Sequence, residues 1–175
     1  MKEVKIFARA GQGAITTASI LGEAFFNQGI YSYAFPSFGA ARMGAPMNAF
    51  LRFDTKPVRL RSQIYNPDYL IVVDPTLINS EKCFSGMKKD GIAIIAVRED
   101  TEAIKTPKGV RLVTLPAEKI AMEVIGRPFS NTILVGAFAK ATGQVKAESI
   151  YEAVRKRFIN KPEVLDKNIE AVKRG

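Results

Sequence analysis

We expect this chain to form one α/β domain over residues 1–175, a three-layer α/β/α sandwich with a mixed, mostly parallel sheet and a β-hairpin insertion. Continuous apolar runs at 70–73 and 92–97, bounded by polar residues, are typical of strands buried on both faces of a parallel sheet. Helical spacing of apolar residues and capping signals predict the covering layers. We expect these helices at 15–26, 131–141, 147–158 and 162–173.

The composition agrees with a folded domain and limits its chemistry. Apolar residues make up 47% of the chain, which is ordinary for a globular protein and too high for a disordered one. The chain has one cysteine, Cys83, and no histidine, so it cannot alone supply the ligands of a zinc or iron–sulfur site. If the protein takes part in redox chemistry, we expect the metal centres on other chains.

The charge favours polyanionic partners. The chain has 26 basic and 17 acidic residues, a net charge of +9, which suits a nucleotide-like cofactor, a nucleic acid or an acidic protein. Nucleic-acid binding depends on this charge alone, because no recognisable nucleic-acid motif is present, and we do not expect it. The sequence shows no secretory signal and no run of membrane-spanning length, which predicts a cytoplasmic protein without a membrane partner.

The first part of the chain predicts a strand, a helix and a second strand. Alternation over 4–8 indicates the first strand, and Gly29 suits the left-handed conformation that follows a helix end. We expect the second strand at 31–35 and its end at Pro36, since proline cannot donate to a sheet ladder. Segment 37–46 is punctuated by glycine and proline, which predicts a loop.

The middle of the chain suggests the hairpin insertion. Apolar and polar residues alternate over 47–54 and again over 58–61, on either side of a turn-like Asp-Thr-Lys-Pro segment. This pattern predicts one buried face and one basic face. We interpret the basic face as a solvated or subunit-contact surface that carries Arg52, Arg59 and Arg61.

Start signals predict the remaining elements. Asp74-Pro75 is a favourable helix start, because aspartate can cap and proline is tolerated at the first helical position. A strand at 110–115 should lead into a helix of roughly ten residues. Asn160 and Glu163 resemble a capping box before the last helix.

The most informative motif is the segment Arg9 to Ala14, between the first strand and the first helix. Gly11 and Gly13 at such a turn leave backbone N–H groups that can face an anion. The dinucleotide fingerprint is incomplete, because Thr16 replaces its third glycine and no acidic residue follows the second strand, which argues against NAD. The nucleoside-triphosphate loop fails as well, since no Lys-Ser/Thr pair follows Gly13.

Two interpretations of this turn remain open. It can hold an anion, or its glycines can merely allow a tight turn and close helix–sheet packing. Arg9 ends its strand at a place where a charge has no packing use, which favours the anion site.

Six segments, in order along the chain, carry a resemblance to a known family. They are 9–14 (RAGQGA), 34–38 (AFPSF), 39–46 (GAARMGAP), 61–62 (RS), 66–77 (NPDYLIVVDPTL) and 131–143 (NTILVGAFAKATG). Together they strongly resemble the gamma subunit of pyruvate (2-oxoacid):ferredoxin oxidoreductases, along almost the whole chain.

The resemblance implies a multisubunit enzyme that oxidatively decarboxylates a 2-oxoacid, with pyruvate the commonest, to an acyl-coenzyme A and passes electrons to ferredoxin. It implies that partner alpha, beta and ferredoxin-like delta subunits hold thiamine diphosphate, magnesium and the iron–sulfur clusters. This chain would then have no catalytic residue of its own, would be inactive alone, and would help to bind coenzyme A.

Residue by residue, the resemblance implies a coenzyme A site at the turn. Gly11, Gln12, Gly13 and Ala14 match the family's glycine turn, which is placed for the phosphate groups, and Arg9 would add charge-assisted hydrogen bonds. The loop 37–46 would face the catalytic subunits, with Arg42 as its most functional residue, although a solvated or interface arginine is an equal alternative. A purely structural subunit that never contacts coenzyme A is the alternative function.

Overall fold

The computed structural model describes residues 1–37 and 42–175. Its elements are, in order, β1 (Lys2–Arg9), α1 (Ala14–Asn27), β2 (Tyr31–Ser37), β3 (Pro46–Asp54), β4 (Tyr69–Val72), α2 (Leu77–Ser80), β5 (Ile92–Ala96), β6 (Arg111–Leu115), α3 (Ala117–Val124), α4 (Asn131–Thr142), α5 (Ala147–Arg157) and α6 (Pro162–Arg174). None of the helices in these two ranges is both long enough and apolar enough to cross a membrane.

The strands form one mixed sheet, as predicted. Within the described ranges its order is β2-β3-β1-β4-β5-β6. Strand β1 pairs in parallel with β4, which pairs in parallel with β5, and β5 pairs in parallel with β6. Strand β3 runs antiparallel between β2 and β1. The carboxyl ends of β1 and β4 therefore meet at the same edge of the sheet.

Helices lie on both sides of the sheet, and the two cores differ in size. The larger core packs α1 and α3 to α6 against one face, and in it the Phe25 ring stacks on Phe53 with centroids 3.9 Å apart. The smaller core, on the opposite face, includes Phe7, Leu77 and Cys83. Burial raises the pKa of the Cys83 thiol to about 12, and its Sγ donates to the Leu77 carbonyl, so this cysteine is an unreactive packing residue.

Most helices begin and end close to the predicted residues, but two start signals were wrong. Helix α2 begins at Leu77 instead of directly after Asp74, because the Leu77 and Ile78 amides donate to carbonyls three residues back, which forms a turn and not an α-helix. Helix α6 follows Lys161 without a side-chain cap, so the predicted box of Asn160 and Glu163 does not form. Proline at the first helical position provides the start there.

The predicted hairpin partner was also wrong. Strand β3 pairs with β2, whereas 58–61 forms no strand. Strand β2 continues through Pro36, which pairs with Ala49, because an edge strand tolerates a residue without an N–H group. Arg52, Arg59 and Arg61 do not share one basic face, since Arg52 is buried and the Arg61 guanidinium lies 3.5 Å from the Tyr33 ring centroid.

A buried arginine binds the segment 60–63, which follows β3. Arg52 on β3 is 1% exposed, and its Nε donates to the Glu3 carboxylate at 2.8 Å. Its Nη1 donates to the Ser62 carbonyl at 2.6 Å and its Nη2 to the Gln63 carbonyl at 3.2 Å. Nη1 also donates to the Leu60 carbonyl at 3.4 Å, so the guanidinium holds this segment against β3 through three carbonyls.

Replacing Arg52 should destabilise the chain strongly. In Arg52→Met the Glu3 carboxylate and three carbonyls lose their donor, and leaving one partner of a buried ion pair costs about 3–5 kcal/mol. Denaturant unfolding compares the free energy of unfolding of Arg52→Met with that of Arg59→Met. Arg59 is an exposed arginine that follows β3. Equal free energies of unfolding for the two variants would contradict this role for Arg52.

A buried carboxylate lies before β4, at the amino end of the strand. Asp68 is 8% exposed and accepts hydrogen bonds from Lys88 at 2.8 Å, Lys2 at 3.1 Å and the Glu3 amide at 3.0 Å. Burial alone raises the pKa of this carboxyl, but the three donors outweigh burial, so its pKa lies below the usual value. Asp68 therefore contributes stability in its ionised form.

The Asp68 contribution should disappear in acid. Because the folded-state pKa is lowered, the stabilisation is complete above the unfolded pKa of about 4 and is lost as the pH falls through the folded value. Asp68→Asn should cost about 1–3 kcal/mol at pH 7. Unfolding curves from pH 7 to pH 2 should show the two proteins converging, and a pH-independent difference would contradict the assignment.

Candidate functional site

The glycine turn, which we define as residues 9–13, joins β1 to α1 in the way the sequence predicted. Gly11 has φ +99° and Gly13 has φ +85°, a region that favours glycine. The Gln12 amide donates to the Arg9 carbonyl at 3.0 Å and closes the turn. The Gly13 carbonyl accepts from the Thr17 amide at 2.9 Å, which is the first bond of helix α1.

The first amides of α1 are available for a ligand. Nothing in the described ranges accepts a hydrogen bond from the backbone N–H groups of 13–16. These four groups follow one another at the positive end of the α1 dipole. A tetrahedral anion such as a phosphate group is the ligand that such an arrangement binds best.

A second helix begins beside the same turn. Asn131, the first residue of α4, packs so closely that a Cβ on Gly13 would lie 2.9 Å from its Nδ2 atom. The first bond inside this helix runs from the Leu134 amide to the Ser130 carbonyl, so the three amides before Leu134 also lie at a helix N-terminus. The positive ends of two helix dipoles therefore meet at Gly13.

Arg9 is held by residues from two other loops. Its Nη1 donates to the Gly44 carbonyl at 3.1 Å, its Nη2 donates to the Thr76 hydroxyl at 2.9 Å, and its Nε lies 3.3 Å from the Asp74 carboxylate. The Arg9 side chain is nevertheless 35% exposed, and it has further N–H groups that could face a ligand. Gln12 also contacts Asp74, with its Nε2 donating at 2.8 Å.

The turn before β3 runs alongside the glycine turn. Its Gly44 amide donates to the Ala10 carbonyl at 3.1 Å, and the Ala10 amide donates to the Ala45 carbonyl at 2.8 Å. Met43 lies over Gly11, where a Cβ would come within 2.8 Å of its Sδ. Exposed Arg42 begins this turn, so the structure brings Arg42 and Arg9 to the same edge of the sheet. The rest of the predicted loop, 38–41, lies outside the described residues.

Sequence reasoning missed four contributors. Asp74 was predicted only as a helix cap, and no functional role was predicted for Asn131, Thr76 or Arg157. The Arg157 guanidinium donates to the Thr16 hydroxyl at 3.2 Å. Asp74 had a usable signal, because it follows a buried strand whose carboxyl end should lie beside that of β1. The sequence carried no comparable signal for Arg157.

Burial and hydrogen bonding act in opposite directions on Asp74. Burial raises the pKa of its carboxyl, but hydrogen bonds from Thr76 and Gln12, with the charge of Arg98, outweigh burial and lower it. Asp74 is therefore ionised at neutral pH and pairs with Arg9.

One cavity among the described residues is lined in part by Pro75, Thr76 and Ile78. It has a volume of about 760 Å³, and its charged lining residues are Lys82, Arg98, Asp100, Glu102 and Lys105. Both signs of charge are present, so this lining gives no preference for an anion.

The contact between Gly13 and Asn131 can be tested by stability. Gly13→Ala should cost about 1–2 kcal/mol for the left-handed backbone, plus the cost of displacing Asn131. Gly29, at the other end of α1, has φ +79°, and a Cβ there would meet no atom within 4 Å. Gly29→Ala should therefore be destabilised by the backbone conformation alone. In an Asn131→Ala background the two glycine variants should become equally destabilising by urea unfolding; a persistent excess for Gly13→Ala would contradict the contact.

The chain is similar to proteins of one enzyme family. Residues 3–175 match the profile of pyruvate ferredoxin/flavodoxin oxidoreductase. The common subunit gamma of the pyruvate/ketoisovalerate oxidoreductases of Pyrococcus furiosus is 44% identical over 178 residues, covering 99% of this chain and 94% of the relative.

Two solved structures have the same fold. Pyruvate oxidoreductase subunit PORC of Thermotoga maritima is 35% identical with a TM-score of 0.86, over 99% of this chain and 93% of that one. The 2-oxoglutarate:ferredoxin oxidoreductase of Magnetococcus marinus, solved with 2-oxoglutarate, coenzyme A and succinyl-CoA bound, is 19% identical with a TM-score of 0.82. The match covers 98% of this chain but 29% of that longer one, and at this identity it shows the fold alone.

Proposed function

The chain belongs to the pyruvate ferredoxin/flavodoxin oxidoreductase family, as the gamma subunit of a 2-oxoacid oxidoreductase complex, and from that premise we propose that its glycine turn binds phosphate groups of coenzyme A. The observation that carries the proposal is the set of amides at 13–16 without acceptors in the described structure, beside the N-terminus of α4. Two helix N-termini that meet at one glycine suit a ligand with several phosphate charges.

The residues present fit such a ligand by charge and by donor type. Gly11 and Gly13 have no side chains that would cover the backbone N–H groups of the turn. The Gln12 amide closes the turn between them. Arg9 and Arg42 add positive charge at the same edge of the sheet. These groups bind and orient a phosphate-bearing molecule, and none of them is placed to act as a nucleophile or general base.

The remaining chemistry belongs to the partner subunits in this proposal. Coenzyme A supplies the thiol that accepts the acyl group when it is bound. Thiamine diphosphate, magnesium and the iron–sulfur clusters are held by alpha, beta and ferredoxin-like delta subunits, in keeping with a chain that has no histidine and a single buried cysteine. The isolated chain is then inactive.

The nature of the oxoacid follows from the relatives only in part. Pyruvate is the substrate we propose, because the Thermotoga maritima relative is a pyruvate oxidoreductase subunit. The Pyrococcus furiosus relative is a common subunit of pyruvate and ketoisovalerate oxidoreductases. A subunit shared by two enzymes does not choose between their oxoacids, so we propose that this choice is made by the catalytic subunits.

A second candidate function is a structural subunit that shapes the complex without contacting coenzyme A. The specific observation in its favour is the engagement of Arg9 by Gly44, Thr76 and Asp74 of its own chain. Met43 also lies over Gly11 and narrows one side of the turn. The two functions predict different effects of substitutions in the glycine turn: one predicts a change in the KM for coenzyme A, and the other predicts a change in assembly.

The coenzyme A site can be tested in the assembled enzyme with Gly13→Leu and Arg9→Ala. Each variant should raise the KM for coenzyme A by about tenfold or more, because hydrogen bonds to a charged group contribute about 1.5–3 kcal/mol. The KM for the oxoacid should stay within about twofold. Steady-state kinetics with either substrate varied gives both values, and gel filtration confirms that the complex is intact.

Gly29→Ala is the matched control, because it changes a glycine of positive φ at the opposite end of the same helix. Its KM for coenzyme A should equal that of the unaltered enzyme. An unchanged KM for coenzyme A in both turn variants would refute the site, and a loss of assembly with unchanged coenzyme A dependence would favour the structural subunit.

A further inference from the structure

Both carboxylate oxygens of Asp74 are engaged, and they face different partners. Asp74 follows β4 and is 3% exposed. Its Oδ1 accepts from the Thr76 amide at 3.1 Å and from the Thr76 hydroxyl at 2.7 Å. Its Oδ2 accepts from Gln12 Nε2 at 2.8 Å and lies 3.3 Å from Arg9 Nε. One buried carboxylate therefore joins the end of β4 to the glycine turn.

The Gln12 side chain links Asp74 to the backbone of the glycine turn. Its Oε1 accepts from the Arg9 amide at 2.7 Å, while its own amide donates to the Arg9 carbonyl at 3.0 Å. The Gln12 side chain is therefore held at both ends, by Asp74 and by Arg9. A displaced Asp74 would release the side chain that closes the turn.

The Arg9 side chain links Asp74 to the turn before β3. Its guanidinium reaches from Asp74 and the Thr76 hydroxyl to the Gly44 carbonyl. The turn of residues 42–45, which includes Arg42, is thereby attached to the same carboxylate. Three loops from different parts of the chain depend on Asp74 for their relative positions.

Helix capping does not account for this arrangement. Helix α2 has four residues and begins at Leu77, and its first turn uses only the Oδ1 side of Asp74 through Thr76. The other oxygen contacts the side chains of Gln12 and Arg9 and no backbone amide of α1, so it caps neither helix. Burying a carboxylate has a cost that so short a helix does not explain.

We propose that Asp74 is a positioning residue of the coenzyme A site: through Gln12 and Arg9 it sets the shape of the glycine turn. The inference depends on the function proposed above, because a turn without a ligand would need no such control. Asp74 itself contacts no ligand in this proposal. It aligns the groups that do.

The test is Asp74→Asn in the assembled enzyme. An amide keeps the shape of the carboxylate but presents an NH₂ group to Gln12 Nε2 and Arg9, or to the Thr76 amide, so one contact becomes repulsive. The KM for coenzyme A should rise about tenfold, while kcat and the KM for the oxoacid change less than about twofold. An unchanged KM for coenzyme A in an intact complex would overturn the inference.

A compensating variant distinguishes positioning from general damage. Adding Gln12→Glu to Asp74→Asn exchanges donor and acceptor, because the new amide can donate to the new carboxylate, which still accepts from the Arg9 amide. This double variant should recover most of the affinity for coenzyme A. Failure to recover any of it would count against a role through Gln12.

Asp68→Asn is the matched control, since Asp68 is a buried carboxylate at the opposite end of the same strand. It should lower the Tm and leave the KM for coenzyme A unchanged; an equal rise in KM would overturn the inference.

Gly13→Leu separates this inference from the proposed coenzyme A site. If Gly13→Leu raises the KM for coenzyme A and Asp74→Asn does not, only the positioning role of Asp74 is refuted. If neither variant raises it, the coenzyme A site itself is refuted. Should Asp74→Asn not assemble, Gln12→Ala cuts the same link, and an unchanged KM there refutes the proposal.

Discussion

The antiparallel pairing of β3 with β1 is the constraint on which the rest of the site depends. The ladder runs along all of β1, from Lys2 opposite Phe53 to Arg9 opposite Pro46. On its other side β1 pairs in parallel with β4. The end of β1, the start of β3 and the end of β4 therefore meet at one point. A slip of one residue in the first ladder would turn Arg9 away from the loops that hold it.

Part of the positive field at this point comes from the backbone. Although the chain has a net charge of +9, the guanidinium of Arg9 is matched by Asp74. The amides at the starts of α1 and α4 lack such a match within the described structure. Fixed dipoles need little rearrangement when a ligand arrives, and they do not exchange protons. A site of this kind suits a subunit that orients a co-substrate for chemistry on another chain.

Local sequence patterns predicted the layers of the fold but not all of its strand partners. Periodicity located α1 and α4 to α6, and continuous apolar runs located β4 and β5, because those signals lie within each element. The partner of β3 was wrong, since alternation over 58–61 resembles a strand until the burial of Arg52 is known. Tertiary contacts determine the pairing partner of β3, and a local sequence pattern carries no information about such contacts.

The candidate site divides in the same way. The glycine turn was recognisable because positive φ favours glycine, and Gly11 and Gly13 both have positive φ there. The role of Asp74 depends on a residue 62 positions away, and that of Asn131 on the close approach of α4 to the turn. Such pairs follow from the order of strands in the sheet, which a single sequence does not state.

The proline in β2 has a consequence for how this chain meets other proteins. Strand β2 is the outermost strand on its side of the sheet, and its ladder with β3 continues across Pro36 to Ser37. The ring nitrogen, which has no hydrogen, is accommodated on the open side, where an incoming strand would find no donor. Edge-to-edge pairing of two β2 strands is therefore disfavoured at Pro36.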